Sequence, residues 1–123
     1  MNHQNISQVL SNAYHQFPHK TAVHLLFSNQ PEQTISYQQL VNRSAVFTLS
    51  LREAGIQANE VVIIILQHSQ ELLLSFFGTI LRGAIPSIMP FMTEKLLPDH
   101  YRAALVPLCE ITKPAAGVTY KDF

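Results

Sequence analysis

The sequence predicts an α/β fold: an open, mainly parallel sheet with helices on both faces, preceded by an N-terminal helix and a short hairpin. Residues 61–66 read Val-Val-Ile-Ile-Ile-Leu, and such a continuous β-branched run is typical of a strand covered on both faces. From residue 61 onward, strand, helix, strand, helix and strand alternate, which favours parallel strands joined by crossovers. A length of 123 residues suits a single domain spanning residues 1–123.

The N-terminal region predicts one helix and a hairpin. Apolar residues recur at spacings of three and four until Pro18, which ends the helix. These residues are Ile6, Val9, Leu10, Ala13, Tyr14 and Phe17. Residues 22–28 have the length of a strand, residues 29–32 are predicted to form a turn, and Thr34-Ile35 forms a second short strand.

The next helix has clear signals at both ends. Ser36 is placed to cap its first turn, and Gly55 lies where a left-handed C-terminal cap is needed. The apolar or small residues between them repeat at helical spacing. They are Tyr37, Leu40, Ser44, Phe47, Leu51 and Ala54.

A third helix over residues 70–82 follows the central strand, with Ser69 as its cap and Gly83 as its end. Its apolar residues cover more than one face, so we expect it to be buried on more than one side. Residues 84–89 return as a strand, and Pro86, which donates no amide hydrogen, indicates a strand end or a sheet edge.

The C-terminal part predicts a loop, a helix and a last strand. Residues 90–97 form the loop, the helix starts at Pro98 and is kinked by Pro107, and residues 116–120 form the strand after Pro114. The helix face is marked by Tyr101, Leu105, Leu108 and Cys109.

The composition indicates a surface that another domain or a partner covers. Hydrophobic residues make up 47% of the chain and charged residues 13%, well below the usual charged share of about 25%. Eight basic and eight acidic residues balance, so there is no basic footprint for a nucleic acid. The apolar runs are too short for a membrane span and the N-terminus lacks a secretory profile, so we expect a cytoplasmic protein.

The glycines and histidines do not predict a ligand site. Gly78 and Gly83 have the spacing of a phosphate loop, but Ala84-Ile85 follow where Lys and Ser or Thr are required. We therefore interpret the segment as the end of a helix. His15 and His19 are four residues apart, but Pro18 breaks the helix between them and argues against a metal site.

For two residues, His68 and Cys109, both a functional role and a purely structural role can be considered. His68 follows the central strand, near the end at which open α/β sheets bind ligands, although a polar cap beside Ser69 is the simpler role. Cys109 would need a base, and His100 lies on a different face of the predicted helix, so we interpret Cys109 as a buried small hydrophobe. Thr93-Glu94-Lys95 is interpreted as a solvated loop.

Several segments resemble, in order and spacing, the motifs of adenylate-forming (AMP-binding) enzymes. The stretch Thr34-Ile35-Ser36-Tyr37-Gln38-Gln39-Leu40 resembles the first core motif, Leu-Thr/Ser-Tyr-x-Glu-Leu, and residues 80–90 resemble the second, Leu-Lys-Ala-Gly-Ala-x-x-x-Pro. Residues 17–23, 54–62 and 67–71 match three further segments of the family. Gln39 replaces the usual Glu, Arg82-Gly83 lacks an intervening small residue, and Asn59-Glu60 replaces Gly-Asp.

The resemblance implies part of the N-terminal domain of an acyl-CoA-synthetase-like ligase. Such enzymes activate a carboxylate with ATP and magnesium, then pass the acyl group to the thiol of coenzyme A. The sequence has no match to the family's Thr/Ser-Gly-Thr-Thr-Gly phosphate loop, to its adenylate motif or to its catalytic Lys, and Thr93-Glu94 lies in the wrong part of the chain. No catalytic, cofactor-binding or metal-binding residue is therefore predicted here, and we expect the chain to be inactive alone.

Two hypotheses follow from these observations. The first is a fragment that pairs with the remainder of a fatty-acid-type ligase. The second is a stand-alone binding or assembly module that dimerises or binds a protein partner through uncovered apolar faces. A small redox or nucleotide-binding domain is disfavoured, because no glycine-rich turn follows the first strand.

Overall fold

The computed structural model describes residues 5–89 and 114–119, which form three helices and five strands. In chain order these are α1 (Ile6–Gln16), β1 (Thr21–Phe27), β2 (Gln30–Ser36), α2 (Tyr37–Glu53), β3 (Val61–Ile65), α3 (Gln70–Leu81), β4 (Ile85–Ile88) and β5 (Ala116–Thr119). Strands β1 and β2 pair antiparallel, and a separate parallel sheet has the order β4-β3-β5. The predicted α/β architecture is confirmed.

Strand β3 is the centre of the parallel sheet and is covered on both faces. Residues 62–65 are all buried, and successive residues of a strand point to opposite faces. Val62 and Ile64 belong to a cluster that includes Leu51 of α2, together with the half-buried Phe76 of α3. The continuous apolar run therefore predicted the burial of β3 correctly.

Helices α2 and α3 cross at Gly78, where a side chain would not fit. A Cβ atom at this position would lie 2.7 Å from the carbonyl oxygen of Ser44 and 2.6 Å from the Cβ of Phe47. Close approach of the two backbones also lets the Thr48 hydroxyl donate a hydrogen bond to the Gly78 carbonyl oxygen, at 2.7 Å. Gly78 thus serves helix packing.

The helix ends follow the sequence signals. Ser36 caps α2: its hydroxyl accepts a hydrogen bond from the Gln39 amide at 3.1 Å, and the Gln39 side chain accepts one from the Ser36 amide at 3.0 Å. Ser69 caps α3. Gly55 and Gly83, which follow α2 and α3, both have φ of 84°, a conformation that glycine adopts without steric cost.

The hairpin differs from the prediction in the place of its turn. The turn consists of Ser28 and Asn29 alone, and β2 begins at Gln30 rather than Thr34. Asn29 adopts φ of 60°, a left-handed conformation that Asn tolerates better than most residues, so two residues suffice to reverse the chain. Pro31 is accommodated because the strand ladder is irregular beside it.

Helix α1 has the predicted position, but only part of its apolar face is packed. Leu10 is buried, whereas Ile6, Val9 and Phe17 are 50%, 51% and 52% exposed. The helical period was therefore predicted correctly, and the structure adds that only part of the apolar face is buried. Helix α1 contacts α2 and α3 less extensively than those two helices contact each other.

Strand β4 is an edge of the described sheet, as Pro86 indicated. Strand β5 ends at Thr119, and Tyr120, which was predicted to continue it, lies outside the described residues. The predicted loop over residues 90–97 and the helix from Pro98, including His100 and Cys109, also lie outside them. Within residues 5–89 and 114–119, no helix is long and apolar enough to cross a membrane.

Replacing Gly78 by alanine should destabilise the fold. The new methyl group would meet backbone and Cβ atoms that cannot move without separating the two helices, and overpacking of this kind costs about 1–3 kcal/mol. Gly117→Ala is the matched control, because the nearest atom to its added Cβ would be 3.9 Å away. Chemical denaturation should show a clear loss of unfolding free energy for Gly78→Ala and little change for Gly117→Ala. Equal losses in the two variants would contradict the close crossing of α2 and α3 at Gly78.

Replacing Ser36 by alanine should lower the free energy of unfolding by about 1 kcal/mol, because the cap of α2 is lost. Ser50→Ala is the comparison, since the Ser50 hydroxyl donates only to the Val46 carbonyl oxygen on the exposed side of the same helix. Urea unfolding followed by circular dichroism distinguishes the two variants. If Ser50→Ala lowered the free energy of unfolding as much as Ser36→Ala, the capping role of Ser36 would be contradicted.

Candidate functional site

An apolar groove opens at the carboxyl end of the parallel sheet, the end at which open α/β sheets bind ligands. The groove has a volume of about 300 Å³. Its apolar lining comes from the hairpin, from one side of α3 and from the last residue of β4: Leu25, Leu72, Leu73, Phe76, Phe77 and Ile88. We call this feature the apolar groove. The chemistry of its walls suits an apolar occupant.

Two polar residues complete the lining, and both lie in the loop between β3 and α3. Ser69 uses its hydroxyl to accept from the Leu72 amide at 3.3 Å, as the cap of α3. His68 is exposed, and its Nε2 lies 2.9 Å from the carbonyl oxygen of Leu26 in β1. Both polar side chains thus already have partners within the chain.

The apolar walls were visible in the sequence, but their role as a groove was not. The excess of apolar residues on α3 was interpreted as burial on more than one side. The structure leaves Leu72, Leu73, Phe76 and Phe77 only half-buried, because all four line the open apolar groove. A helix apolar over more than one face is the signal that could have indicated an uncovered surface.

The glycine pair and the histidine pair lie where the sequence placed them, whereas Cys109 and Thr93-Glu94-Lys95 lie outside the described residues. Gly78 lies inside α3 and Gly83 follows its end, so the two glycines do not form a phosphate loop. Helix α1 ends at Gln16, before Pro18, so His15 and His19 do not share a helix face. Among residues 5–89 and 114–119, no three His, Cys, Asp or Glu side chains are grouped closely enough to hold a metal ion.

The lining of the apolar groove does not fit ATP or magnesium. Magnesium prefers carboxylate, carbonyl and water oxygens, and nucleotide phosphates require amide, Lys or Arg donors. The apolar groove offers only His68 and Ser69 as polar side chains, and both are engaged elsewhere. No catalytic step is therefore derived from these residues.

The family-like motifs have conformational roles. Gln39, at the position of the family's usual Glu, completes the capping box of α2. Asn59, at the position of a usual Gly, has φ of 69°, and its amide donates to the Gly83 carbonyl oxygen at 2.9 Å. Arg82 donates from Nε to the Ile56 carbonyl oxygen at 2.8 Å. Each departure from the family pattern therefore keeps a physical function in the fold.

Comparison with known structures defines the class of fold. The chain superposes on the fatty acid AMP ligase of Legionella pneumophila with a TM-score of 0.80 and 20% identity, over 98% of this chain and 20% of the ligase. It also matches the N-terminal subdomain of NpsA from Klebsiella oxytoca, with a TM-score of 0.74 and 14% identity, over 95% of this chain and 28% of that one. The fold is that of the N-terminal part of adenylate-forming ligases.

The sequence comparisons identify the family. The family model of the AMP-binding enzymes matches residues 10–95, and the chain therefore belongs to this family. Tyrocidine synthase 3 of Brevibacillus parabrevis is 40% identical over 53 residues, which are 43% of this chain and 1% of that protein. The chain spans about a fifth of the first ligase structures that it matches, 20% in each case.

Proposed function

We propose that this chain is the N-terminal piece of an ATP-dependent, carboxylate-activating ligase and is inactive by itself. The match of residues 10–95 to the AMP-binding enzyme family carries the proposal. The piece supplies a frame, consisting of the α2–α3 pair, the hairpin and the first parallel strands. The reactive loops belong to polypeptide beyond the sequence described here.

The apolar groove and the edges of the sheet support a role as part of a larger domain. Ile85 and Ile88, on edge strand β4, are exposed, and Val46 and Leu49 are exposed on α2. Apolar side chains exposed in this number beside an uncovered groove are typical of a surface that another segment or protein covers. The low charge content of the chain is consistent with that role.

We propose the class of acid that the whole enzyme activates from the subfamily that the sequence resembles. Residues 88–95 resemble acyl-CoA-synthetase-like members, which favours a fatty acid and coenzyme A. Both a fatty acid ligase and peptide-synthetase adenylation domains are among the similar structures, so the fold is compatible with either subfamily. ATP, magnesium and coenzyme A are proposed for the whole enzyme, bound by residues outside this chain.

The isolated 123-residue chain should not exchange labelled pyrophosphate into ATP in the presence of fatty acids or amino acids. The expected rate equals the blank without protein, because no phosphate loop or catalytic lysine is present in the sequence. An intact adenylate-forming ligase under the same conditions serves as the positive control. Exchange that requires both the chain and a carboxylate would refute the proposed inactivity.

A further test of the proposal is to sequence the gene downstream of codon 123. We expect an in-frame Thr/Ser-Gly-Thr-Thr-Gly loop some tens of residues downstream, because this loop holds the phosphates of ATP in the family that the chain resembles. An open frame of ligase length without such a loop would contradict the proposal.

The second candidate function is a stand-alone module that dimerises or binds a protein through its exposed apolar residues. Leu26, on the hairpin, is 69% exposed, and the apolar groove lies beside the same hairpin. Sedimentation velocity over a wide concentration range tests this function. A dimer that Val46→Lys or Leu26→Lys dissociates would support the module, whereas a monomer at every concentration would count against self-association.

A further inference from the structure

The outer end of the hairpin contains an irregularity in the strand pairing at Leu26. Leu25 pairs with Gln33, and Phe27 pairs with Gln30, so Leu26 faces two residues of β2 instead of one. One of these is Pro31, which has no amide hydrogen to donate. Among the described strands β1 is paired with β2 alone, so a β1 carbonyl group that points away from β2 has no strand partner.

His68 supplies the missing donor. Its Nε2 is 2.9 Å from the Leu26 carbonyl oxygen, and its ring lies against that of Phe27, with centroids 4.9 Å apart and planes inclined by 49°. Because a carbonyl oxygen only accepts hydrogen bonds, Nε2 must carry a hydrogen. The contact joins residues 42 positions apart in the chain and links β1 to the loop that follows β3.

The position of the hairpin tip, which we define as residues 26–30, depends on such side-chain contacts. An isolated two-stranded hairpin is marginally stable, and this hairpin is not hydrogen-bonded to the parallel sheet. Its base is fixed by the buried Ile35 and by the Tyr37 amide, which donates to the Lys20 carbonyl oxygen at 3.0 Å. At the tip, His68 holds Leu26 directly.

A second contact ties β2 to α3 nearby. The Gln70 side chain donates from Nε2 to the Gln33 side-chain oxygen at 3.0 Å, and Arg43 donates to the Gln70 side-chain oxygen at 3.0 Å. Its bonds, like that of His68 to Leu26, are exposed to solvent and compete with water. It supports the middle of the hairpin and does not reach the tip.

We infer that His68 is a positioning residue that sets the width of the apolar groove by holding the hairpin tip against the β3–α3 loop. The groove is bounded by Leu25 of the hairpin on one side and by α3 on the other, and His68 itself forms part of the lining. Removing the His68 contact loosens the tip at Leu26, where only the packing of Phe27 against the core remains, and widens the groove on the side of Leu25. This inference stands apart from the proposed ligase function, because it concerns only contacts within the chain.

The hydrogen position on His68 provides the first test, on the full chain without any substitution. Long-range ¹H–¹⁵N spectra at a pH at which the ring is neutral should show His68 as the Nε2–H tautomer. The signal is assigned by its absence from the spectrum of the His68→Gln variant. A neutral ring with its hydrogen on Nδ1 would overturn the inference, because Nε2 would then be unable to donate.

Three substitutions separate the hydrogen bond from simple filling of space. His68→Leu keeps bulk and removes the donor, His68→Gln keeps a donor at a similar reach, and His68→Asn carries an amide too short to reach Leu26. Amide hydrogen exchange at residues 26–30 should be faster by about fivefold in the Leu and Asn variants, the factor typical of one neutral hydrogen bond. It should return toward the parent rate in His68→Gln.

Exchange at the hairpin base, residues 21–23, is the internal control and should be unchanged in all three variants. Binding of the neutral apolar dye Nile red reports on the groove and should increase in His68→Leu and His68→Asn but not in His68→Gln. Equal exchange at the tip in all variants, or equal acceleration at tip and base, would overturn the positioning role. If His68→Leu does not fold, the test rests on His68→Gln and His68→Asn. The amide exchange rates of residues 26–30 must then still differ between these two variants.

Discussion

The packing of β3 against the α2–α3 pair is the interaction on which the rest of the structure depends. Four successive residues of β3 are buried, and burial of a large apolar side chain contributes roughly 1.5–3 kcal/mol. That burial requires α3 to lie close to both β3 and α2, and the absence of a side chain at Gly78 permits the close crossing. Strands β4 and β5 then pair on either side of β3.

The motifs by which the chain resembles its family act on the shape of the backbone. They cap helices, as Ser36 and Gln39 do, or occupy left-handed positions, as Asn59 and Gly83 do. Such positions tolerate only residues that can make the same capping hydrogen bond or adopt the same left-handed backbone conformation. Gln can replace Glu, and Asn can replace Gly, for this reason. On the proposed function, this part of the enzyme determines where the sheet and its loops lie, and the chemistry is supplied by other segments.

Most of the fold could be predicted from the sequence, because its signals are local. Caps, helix ends and the buried strand each depend on a few neighbouring residues, as at Ser36, Ser69 and Gly83. The hairpin turn was misplaced because Pro31 suggests a turn, whereas the left-handed Asn29 and an irregular ladder allow it within a strand. The exposure of Ile6, Val9 and Phe17 could not be predicted, since it depends on how many neighbours α1 has in three dimensions.

The candidate site was less predictable than the fold for the same reason. The apolar residues of α3 were recognised, but whether they face a core or a groove depends on the hairpin, which is distant in sequence. The contact between His68 and Leu26 was likewise not predictable, because it joins residues 42 positions apart in the chain. His68 was identified as a candidate because it follows a strand. Its hydrogen-bond partner is visible only in the three-dimensional structure.

On the proposed function, these residues frame a nucleotide-using enzyme without binding the nucleotide themselves. The most direct measurement is a titration of the ¹⁵N-labelled chain with magnesium and ATP, followed by ¹H–¹⁵N correlation spectra. We expect no saturable change in amide shifts at the carboxyl end of β3 or at the start of α3. Saturable changes centred on residues 67–70 would contradict it, because they would place a nucleotide site within this chain.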